Sequence, residues 1–291
     1  MYLLSHTIAS GRWRKWVQPP FAGCRPATRS YGAPAAIVVR MDVVAELVPR
    51  LVELPGVVSV VLGGSRATNT HRPDSDWDLG VYYRGSFDAA LLARLGYPGH
   101  AAQPGEWGRI VNGGAWLSVS GQPVDVLLRD LDVIERWWDD AQVGRFDIEN
   151  VEGHLAGLPT YVPIGEIALA RRLSGQLPDV SFPQALRESA ELRWRWNAGF
   201  SLVFARHYAT TADRTACMGM LARAAMQTAH GILASRGQWA LNEKRLIDRA
   251  GLSAAHQIIG TASTDAPAAV DQMHTLLDPP SLTELDAHHP G

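Results

Sequence analysis

A short segment that joins two β-type runs places the tightest constraint on how this chain folds. The first run, Val57–Leu62 ("VVSVVL"), is almost continuously β-branched, which is typical of a strand buried on both faces. "GGS" follows it directly at residues 63–65, and residues 79–83 predict a second strand. Asp76 and Asp78 stand at the start of that strand, where burying a carboxylate is costly without a compensating partner. The two acids therefore indicate a functional site.

The spacing of the acids predicts a metal site. Residues two apart in a strand project from the same face, so Asp76 and Asp78 are expected about 6.5–7 Å apart, with Trp77 pointing the other way into packing. Asp125 lies in "PVDVLL", within a third predicted strand at residues 124–128. Three carboxylates on strands that can be neighbours suit Mg²⁺, which prefers oxygen ligands. Two such ions about 3.5–4 Å apart would serve phosphoryl or nucleotidyl transfer.

The glycine turn fits the same chemistry. Gly63 and Gly64 let the chain turn tightly and approach a ligand closely. Ser65 is expected to open a short helix whose free N–H groups, together with its hydroxyl, receive a triphosphate. Arg66 either adds positive charge there or packs outward. Each feature alone has a simpler explanation, as a turn, a cap or an edge-strand acid, but their order and spacing together favour a nucleotide site.

The segment "GGSRATNTHRPDSDWDL", followed by "VDVLL", resembles the signature of the DNA polymerase β-like nucleotidyltransferase superfamily. The resemblance covers residues 57–128 and is strongest to small bacterial nucleotidyltransferases of the aminoglycoside-adenylyltransferase type. It implies an NTP co-substrate, with ATP preferred, and a two-ion Mg²⁺ site with Asp76 and Asp78 as ligands. Asp125 would be the third ligand or the general base for the acceptor hydroxyl. Gly64 and Ser65 would be the phosphate-binding pair, next to Gly63 and Arg66.

The order of elements predicts an α/β (α+β) fold. A hairpin is expected from strands at 115–119 and 124–128, and a density of Gly and Pro follows at 144–163. Helices are predicted beyond it at 164–173, 183–208, 213–236, 243–250 and 267–277. We therefore expect a nucleotidyltransferase-type mixed sheet with flanking helices at 41–145, and a helical bundle at 146–280 that closes the cleft as a substrate or lid domain. Residues 1–40 are expected to be a disordered extension or a translated leader, and 281–291 a tail.

Charge and composition limit the partners. Residues 1–40 hold six basic residues and no acid, so the other 251 residues carry −8, the total of −2 less the +6 of this segment. An acidic body disfavours a nucleic-acid backbone and favours a polycationic acceptor such as an aminoglycoside. No apolar run reaches bilayer length, and only Cys24 and Cys217 are present. A cytoplasmic enzyme without membrane segments or a disulfide framework is expected, of unspecified oligomeric state.

The C-terminal half adds three further expectations. Lys244, in "LNEKRLI", is one of only two lysines among 27 basic residues. It is either a compact charge placed at a phosphate or a solvated helix-surface lysine. An aromatic stripe with a spacing of four predicts core or inter-domain packing; its members are Trp196, Phe200, Phe204 and Tyr208. Residues 105–116 ("GEWGRIVNGGAW"), which precede that half, are expected to line the cleft.

Three functions follow from these features. The first is a small-molecule O-nucleotidyltransferase that moves AMP or another NMP onto a hydroxyl and releases pyrophosphate. The second is a toxin-like nucleotidyltransferase with tRNA or protein as its acceptor. The third is a non-catalytic nucleotide-binding regulator of the same fold. The three acids argue against the third, and the acidic body argues against RNA.

Overall fold

The computed structural model describes residues 43–69, 71–72 and 75–279. The extension predicted at 1–40 and the tail predicted at 281–291 lie outside the described residues. The strands are β1 (Val57–Leu62), β2 (Trp77–Tyr83), β3 (Gly99–Ala102), β4 (Gly113–Val119), β5 (Gln122–Asp130), β6 (Ile148–Glu149), β7 (Leu158–Pro159) and β8 (Arg171–Gly175). The helices are α1 (Val43–Val52), α2 (Gly64–Ala67), α3 (Ala90–Ala93), α4 (Leu131–Gln142), α5 (Val162–Leu169), α6 (Gln184–Thr210), α7 (Arg214–Ser235), α8 (Leu246–Ala250), α9 (Ala254–Thr261) and α10 (Ala266–Leu277).

A six-stranded mixed sheet forms the first part of the fold, in the order β3-β4-β5-β2-β1-β8. β2 and β5 run parallel, and the other neighbouring pairs run antiparallel. The predicted mixed sheet followed by helices is confirmed. The predicted β4–β5 hairpin is also present, and Ser120 and Gly121 turn it with φ values of 48° and 78°. Both residues are left-handed, as a two-residue type I′ turn requires.

Different helices pack on the two faces of the sheet. On one face, Leu79, Val81 and Val126 pack in a core with Leu47 and Leu51 of α1. On the other face, helices α4 to α6 cover one end of the sheet through a cluster that contains Val61, Tyr82, Ile134, Ile164 and Trp194. The residues at the other end of this second face, around the start of β2, are only half-buried. That end is therefore accessible to solvent.

One predicted helix is wrong in its second half. The helix expected at 164–173 ends at Leu169, and Arg171–Gly175 forms the edge strand β8, which pairs antiparallel with β1. Sequence periodicity does not reveal this strand, because residues 171–175 adopt β structure through hydrogen bonds to β1, which is far away in sequence. Gly175 has φ of 72°, and a Cβ there would lie 2.0 Å from the carbonyl oxygen of Val58. The short β6–β7 pair and α9 were not predicted either.

The helical region is built on α6 and α7, which are joined by a short connection. Asp213 caps α7 by accepting a hydrogen bond from the backbone N–H of Ala216 at 3.0 Å. The aromatic stripe of α6 does not pack as predicted: Phe200 and Phe204 are 48% and 40% exposed, whereas Trp194 is fully buried. The reason is that α6 turns its small residues and Trp194 toward the core. None of the helices in the described residues is long and apolar enough to cross a membrane.

Candidate active site

Two of the three predicted acids stand directly beside each other. Asp78 of β2 and Asp125 of β5 are paired in register on adjacent parallel strands, so their side chains share one face of the sheet, on strands about 4.8 Å apart. Asp125 therefore lies on the same face of the sheet as Asp78, as the two-metal hypothesis requires. Asp76 precedes β2, which begins at Trp77, and its side chain is exposed. Trp77 points to the opposite face and packs against the core beneath α1, as predicted.

The glycine turn lies directly against Asp78. The backbone N–H of Gly63 donates to the carbonyl oxygen of Asp78 at 2.8 Å. Gly64 has φ of 59°, and a Cβ on it would lie 1.8 Å from Oδ2 of Asp78. Only glycine can therefore bring the backbone this close to the carboxylate. Ser65 follows in the single helical turn α2 and is half-buried beside the acids.

Arg66 braces the loop that carries Asp76. Its Nε donates to the carbonyl oxygen of Asp76 at 3.1 Å, and its Nη2 donates to that of Ser75 at 2.6 Å. The guanidinium carbon lies 4.1 Å from the ring centroid of Trp77, a cation–π contact. Burial raises the pKa of Asp78, and the positive charge of Arg66 opposes this rise to a small extent. Arg66 thus has a defined place beside the acids, with two of its donors used by the backbone.

Lys244 of the helical region acts electrostatically on two of the acids. It is exposed, as the alternative of a solvated lysine expects, but it lies in the loop before α8, which begins at Leu246, and not on a helix. Its positive charge opposes the rise in the pKa of Asp78 and of Asp125. A cation from the C-terminal half therefore acts on the same carboxylates as the glycine turn from the N-terminal half.

The acids form a strongly negative site. Burial, followed by the charges of Asp78 and Asp76, raises the pKa of Asp125 to about 6. Burial also raises the pKa of Asp78, and Asp76 and Glu166 add to this effect. A carboxylate whose pKa is raised by burial and by neighbouring acids is stabilised in its charged form by a bound cation. Their oxygen donors fit Mg²⁺ in kind, although within the described ranges no three His, Cys, Asp or Glu side chains meet as a metal cluster.

Two carboxylates near the site make contacts that no sequence pattern indicated. The Glu243 carboxylate accepts hydrogen bonds from the backbone N–H groups of Leu155 at 2.7 Å and Ala156 at 2.6 Å, and so ties down the loop that carries Lys244. Glu166 of α5 binds the buried Arg129 of β5 through two hydrogen bonds of 2.6 and 2.8 Å. Each contact joins segments far apart in sequence, which local patterns do not predict.

A cavity of about 520 Å³ lies elsewhere, at the other end of β2 and β5. Its walls include Tyr83, Phe87, Asn112 and Trp137, and none of the three acids lines it. The cavity is therefore separate from the acid site.

Comparison with known protein families finds a match for one part of the chain. Residues 44–143 match the model of the nucleotidyltransferase domain family, a range that contains the three acids and the glycine turn but not Lys244. Such a domain supports nucleotidyl transfer in general. No curated protein sequence matched the chain. Among solved structures, the chain is similar to a nucleotidyltransferase-like protein from Exiguobacterium sibiricum, with 10% identity, a TM-score of 0.41, and coverage of 81% of this chain and 73% of that one.

Proposed function

We propose that the protein is a Mg²⁺-dependent nucleotidyltransferase that transfers an NMP, preferentially AMP, from an NTP to a hydroxyl of a small cationic acceptor. The observation that carries the proposal is the in-register pair Asp78 and Asp125, with the Gly63–Gly64 turn packed against the Asp78 carboxylate. The turn gives the phosphates close access to the backbone, and the paired acids provide oxygen ligands beside it. The nucleotidyltransferase domain match at residues 44–143 agrees with this chemistry.

Each site residue has a role in this proposal. Asp76 and Asp78 would hold Mg²⁺, which supplies charge stabilisation to the reacting phosphate when it is bound. Gly63, Gly64 and Ser65 would contact the triphosphate. The acceptor oxygen would form a bond to the α-phosphorus while the bond from that phosphorus to the pyrophosphate oxygen breaks. Asp125 would either take the acceptor proton as general base or complete the metal ligands.

Two positive side chains complete the site. Lys244 would neutralise charge on the triphosphate from the helical side, because its ammonium group already acts on Asp78 and Asp125. Arg66 would hold Asp76 in place through the backbone of its loop and add a second positive charge. ATP is proposed as the NTP, as the family resemblance implies. An aminoglycoside-like compound is proposed as the acceptor because the body of the protein is acidic.

A screen tests the proposed reaction. Labelled NTPs with Mg²⁺ would be incubated with aminoglycosides, with total tRNA and with the protein alone, and pyrophosphate release would be measured. We expect label on an aminoglycoside-type compound. Label on tRNA or on the protein itself would show a macromolecular acceptor instead. NTP binding without transfer to any acceptor would indicate a nucleotide-binding regulator.

Calorimetry on site variants tests the residue roles. Asp76→Asn and Asp78→Asn should abolish transfer and weaken Mg²⁺–NTP binding, with no loss of stability, since they relieve repulsion between neighbouring carboxylates. Asp125→Asn should abolish turnover and retain Mg²⁺–NTP binding if Asp125 is the base. Ser65→Ala should weaken nucleotide binding by about 1–2 kcal/mol, the value of one hydrogen bond to a charged group.

The matched control is Asp139→Asn, which changes an exposed acid on α4 and should leave binding and transfer unchanged. Wild-type Mg²⁺–NTP affinity in both the Asp76 and the Asp78 variant would contradict the proposed metal ligands.

A further inference from the structure

The cavity of about 520 Å³ lies where β2 and β5 end, and the first turns of α4 form part of its lining. Its volume is within the range of pockets that hold small molecules in proteins. Tyr83 and Asp130 line it, and each stands five residues after one of the paired acids, Asp78 and Asp125. Five residues of strand span about 16 Å. The cavity is therefore a candidate ligand site that is distinct from the acids.

Hydrogen bonds hold the loops around the cavity in shape. Gln103 accepts at Oε1 from the backbone N–H of Ala89 at 3.0 Å, and its Nε2 donates to Oδ1 of Asp88 at 2.9 Å. Asn112 accepts at Oδ1 from the backbone N–H of Gly105 at 3.0 Å. Because Gln103, Gly105 and Asn112 all line the cavity, these contacts fix its shape before a ligand binds, as is usual for small-molecule sites.

Apolar side chains from three parts of the chain line the interior. They are Phe87 after β2, Ile110 before β4, and Ile134 and Trp137 of α4. The first three are buried, and Trp137 is half-buried. Ile110 belongs to the segment at residues 105–116, which was predicted to line the cleft. This lining suits the apolar, aromatic body of a small ligand.

The two arginines of the lining are already neutralised. Nε and Nη2 of Arg129 donate to the carboxylate of Glu166 at 2.6 and 2.8 Å. Arg109 is bound by Asp147 at 3.0 Å and by Glu149. None of these three acids lines the cavity. Both positive charges are therefore balanced from outside the cavity.

Asp130 contributes a negative charge to the lining. Its Oδ1 accepts from the backbone N–H groups of Asp132 at 3.0 Å and Val133 at 3.2 Å, which caps α4 and leaves Oδ2 outside these bonds. Among the residues that the structure describes, Asp130 forms no ion pair. Burial raises the pKa of Tyr83, and the charge of Asp130 adds to this rise, so the carboxylate acts on that hydroxyl. The cavity thus offers a carboxylate oxygen to a donor.

We propose that this cavity binds a small aromatic amine, with its ring among the apolar side chains and its ammonium group at the Asp130 carboxylate. An apolar body matches the lining of Phe87, Ile110 and Ile134, and a positive group matches a carboxylate that forms no ion pair in the described part of the chain. This inference goes beyond the proposed nucleotidyl transfer and does not depend on it.

An aromatic acid or a nucleotide suits the cavity less well. Its negative group would meet Asp130, a group of like charge. The backbone N–H groups at the start of α4, which would otherwise attract an anion, already donate to Asp130. The guanidinium groups of Arg109 and Arg129 are bound by acids. The charges around the cavity therefore favour a cation.

Calorimetry with three indoles of different charge tests the ligand class. Tryptamine is the cation, 3-methylindole is the neutral compound and indole-3-acetate is the anion, and all three share one ring system. We expect the wild type to bind tryptamine about tenfold more tightly than indole-3-acetate, with 3-methylindole between them. Tighter binding of the anion, or no binding of tryptamine, overturns the proposal.

Asp130→Asn separates the charge of this residue from its structural role. Asn caps helices as well as Asp does, so the variant keeps the start of α4 and loses the negative charge. It should weaken tryptamine binding about tenfold and leave 3-methylindole binding within about twofold of the wild type. The matched control is Asp139→Asn, an exposed acid of the same helix outside the cavity, which should bind tryptamine like the wild type. Unchanged binding in Asp130→Asn, or an equal loss in both variants, overturns the role of Asp130.

Val133→Phe tests the place of binding. Val133 is half-buried on α4 and lines the cavity, so a phenyl ring there occupies the space of the ligand. The variant should bind neither tryptamine nor 3-methylindole. Val143→Phe, at an exposed position directly after the same helix, should bind both like the wild type. Thermal unfolding of each variant checks the fold, and retained binding in a folded Val133→Phe places the ligand elsewhere.

Two measurements separate the cavity from the acid site. Tryptamine should bind within about twofold equally to the wild type, to Asp125→Asn and to the wild type saturated with Mg²⁺–ATP. Loss of binding in Asp125→Asn, or displacement by Mg²⁺–ATP, would place the amine at the acids and overturn the separate site. Binding of tryptamine through Asp130, in a protein that does not bind Mg²⁺–ATP, supports this inference and overturns the proposed function. Nucleotidyl transfer without tryptamine binding overturns this inference alone.

Discussion

Gly64 shows how one missing side chain shapes the site. Its φ of 59° and its position against Oδ2 of Asp78 leave no space for a Cβ. Gly64→Ala should therefore displace the Asp78 carboxylate and abolish Mg²⁺–NTP binding measured by calorimetry. The strain of a left-handed alanine should also cost about 1–2 kcal/mol in the free energy of unfolding.

The control for this prediction is Gly121→Ala in the β4–β5 turn. Gly121 has φ of 78°, and no atom of the described part of the chain lies within 4 Å of its Cβ position, so the variant bears the same backbone strain without a steric contact there. It should lose similar stability and keep nucleotide binding. Equal binding in the two variants would show that contact with Asp78 does not matter.

A buried histidine makes stability depend on pH. His230 is 1% exposed and stacks on Trp194 at 4.6 Å, and neither of its ring nitrogens has a hydrogen-bond partner among the residues that the structure describes. Burial, with smaller effects of His154 and Arg249, lowers its pKa from 6.5 to about 3. Between these values the unfolded chain binds a proton that the folded protein excludes, so the free energy of unfolding falls as pH decreases.

The expected contribution of His230 is about 1.4 kcal/mol per pH unit below 6.5, ending near pH 3. Urea unfolding of the wild type and of His230→Leu between pH 8 and pH 4 measures it, because the other titrating groups are common to both proteins. The difference in stability between the two should shift in favour of the variant as pH falls. A constant difference would mean that His230 is accessible to protons in the folded state.

At the scale of secondary structure, sequence patterns located the strands that carry the acids. The β-branched run of β1 and the two-residue turn after β4 act locally, so each was evident without tertiary information. β8 was not, because its pairing with β1 is set by the folded sheet. The exposure of Phe200 and Phe204 was missed because a spacing of four identifies one side of a helix and does not say whether that side is covered.

An ion pair joins helix α5 to the sheet, and its loss should lower the free energy of unfolding strongly. Arg129 is 4% exposed and is held by Glu166 through two hydrogen bonds. Glu166→Gln would leave a buried guanidinium without its counterion, at a cost of about 3–5 kcal/mol in the free energy of unfolding. Chemical denaturation measures this loss.

The control is Glu135→Gln, which removes one partner of Arg84 where both side chains are about 40% exposed. Solvent screens that pair, so the variant should lose less than about 1 kcal/mol. Similar losses in the two variants would show that burial of Arg129 does not set the strength of its ion pair.

At the scale of the whole molecule, the site is assembled from both halves of the chain. The sheet provides the acids and the glycine turn, and the α7–α8 loop provides Lys244. The sequence singled out Lys244 only because lysine is rare in this chain, and no local pattern predicts its electrostatic effect on Asp78. The neighbouring Glu243 accepts hydrogen bonds from the backbone of Leu155 and Ala156, more than eighty residues away in sequence.

Glu243 should act on nucleotide binding through Lys244. Glu243→Ala leaves two backbone N–H groups without their acceptor and frees the loop, so the Kd for Mg²⁺–NTP should rise by about tenfold, as it should in Lys244→Ala.

If both residues act through one contact, Glu243→Ala combined with Lys244→Ala should bind no more weakly than Lys244→Ala alone. Glu243→Gln keeps an oxygen acceptor and should recover part of the affinity, whereas Glu188→Ala, on the exposed surface of α6, should change nothing. Calorimetry on the five variants measures these values, and additive losses from Glu243 and Lys244 would show that the two residues act independently.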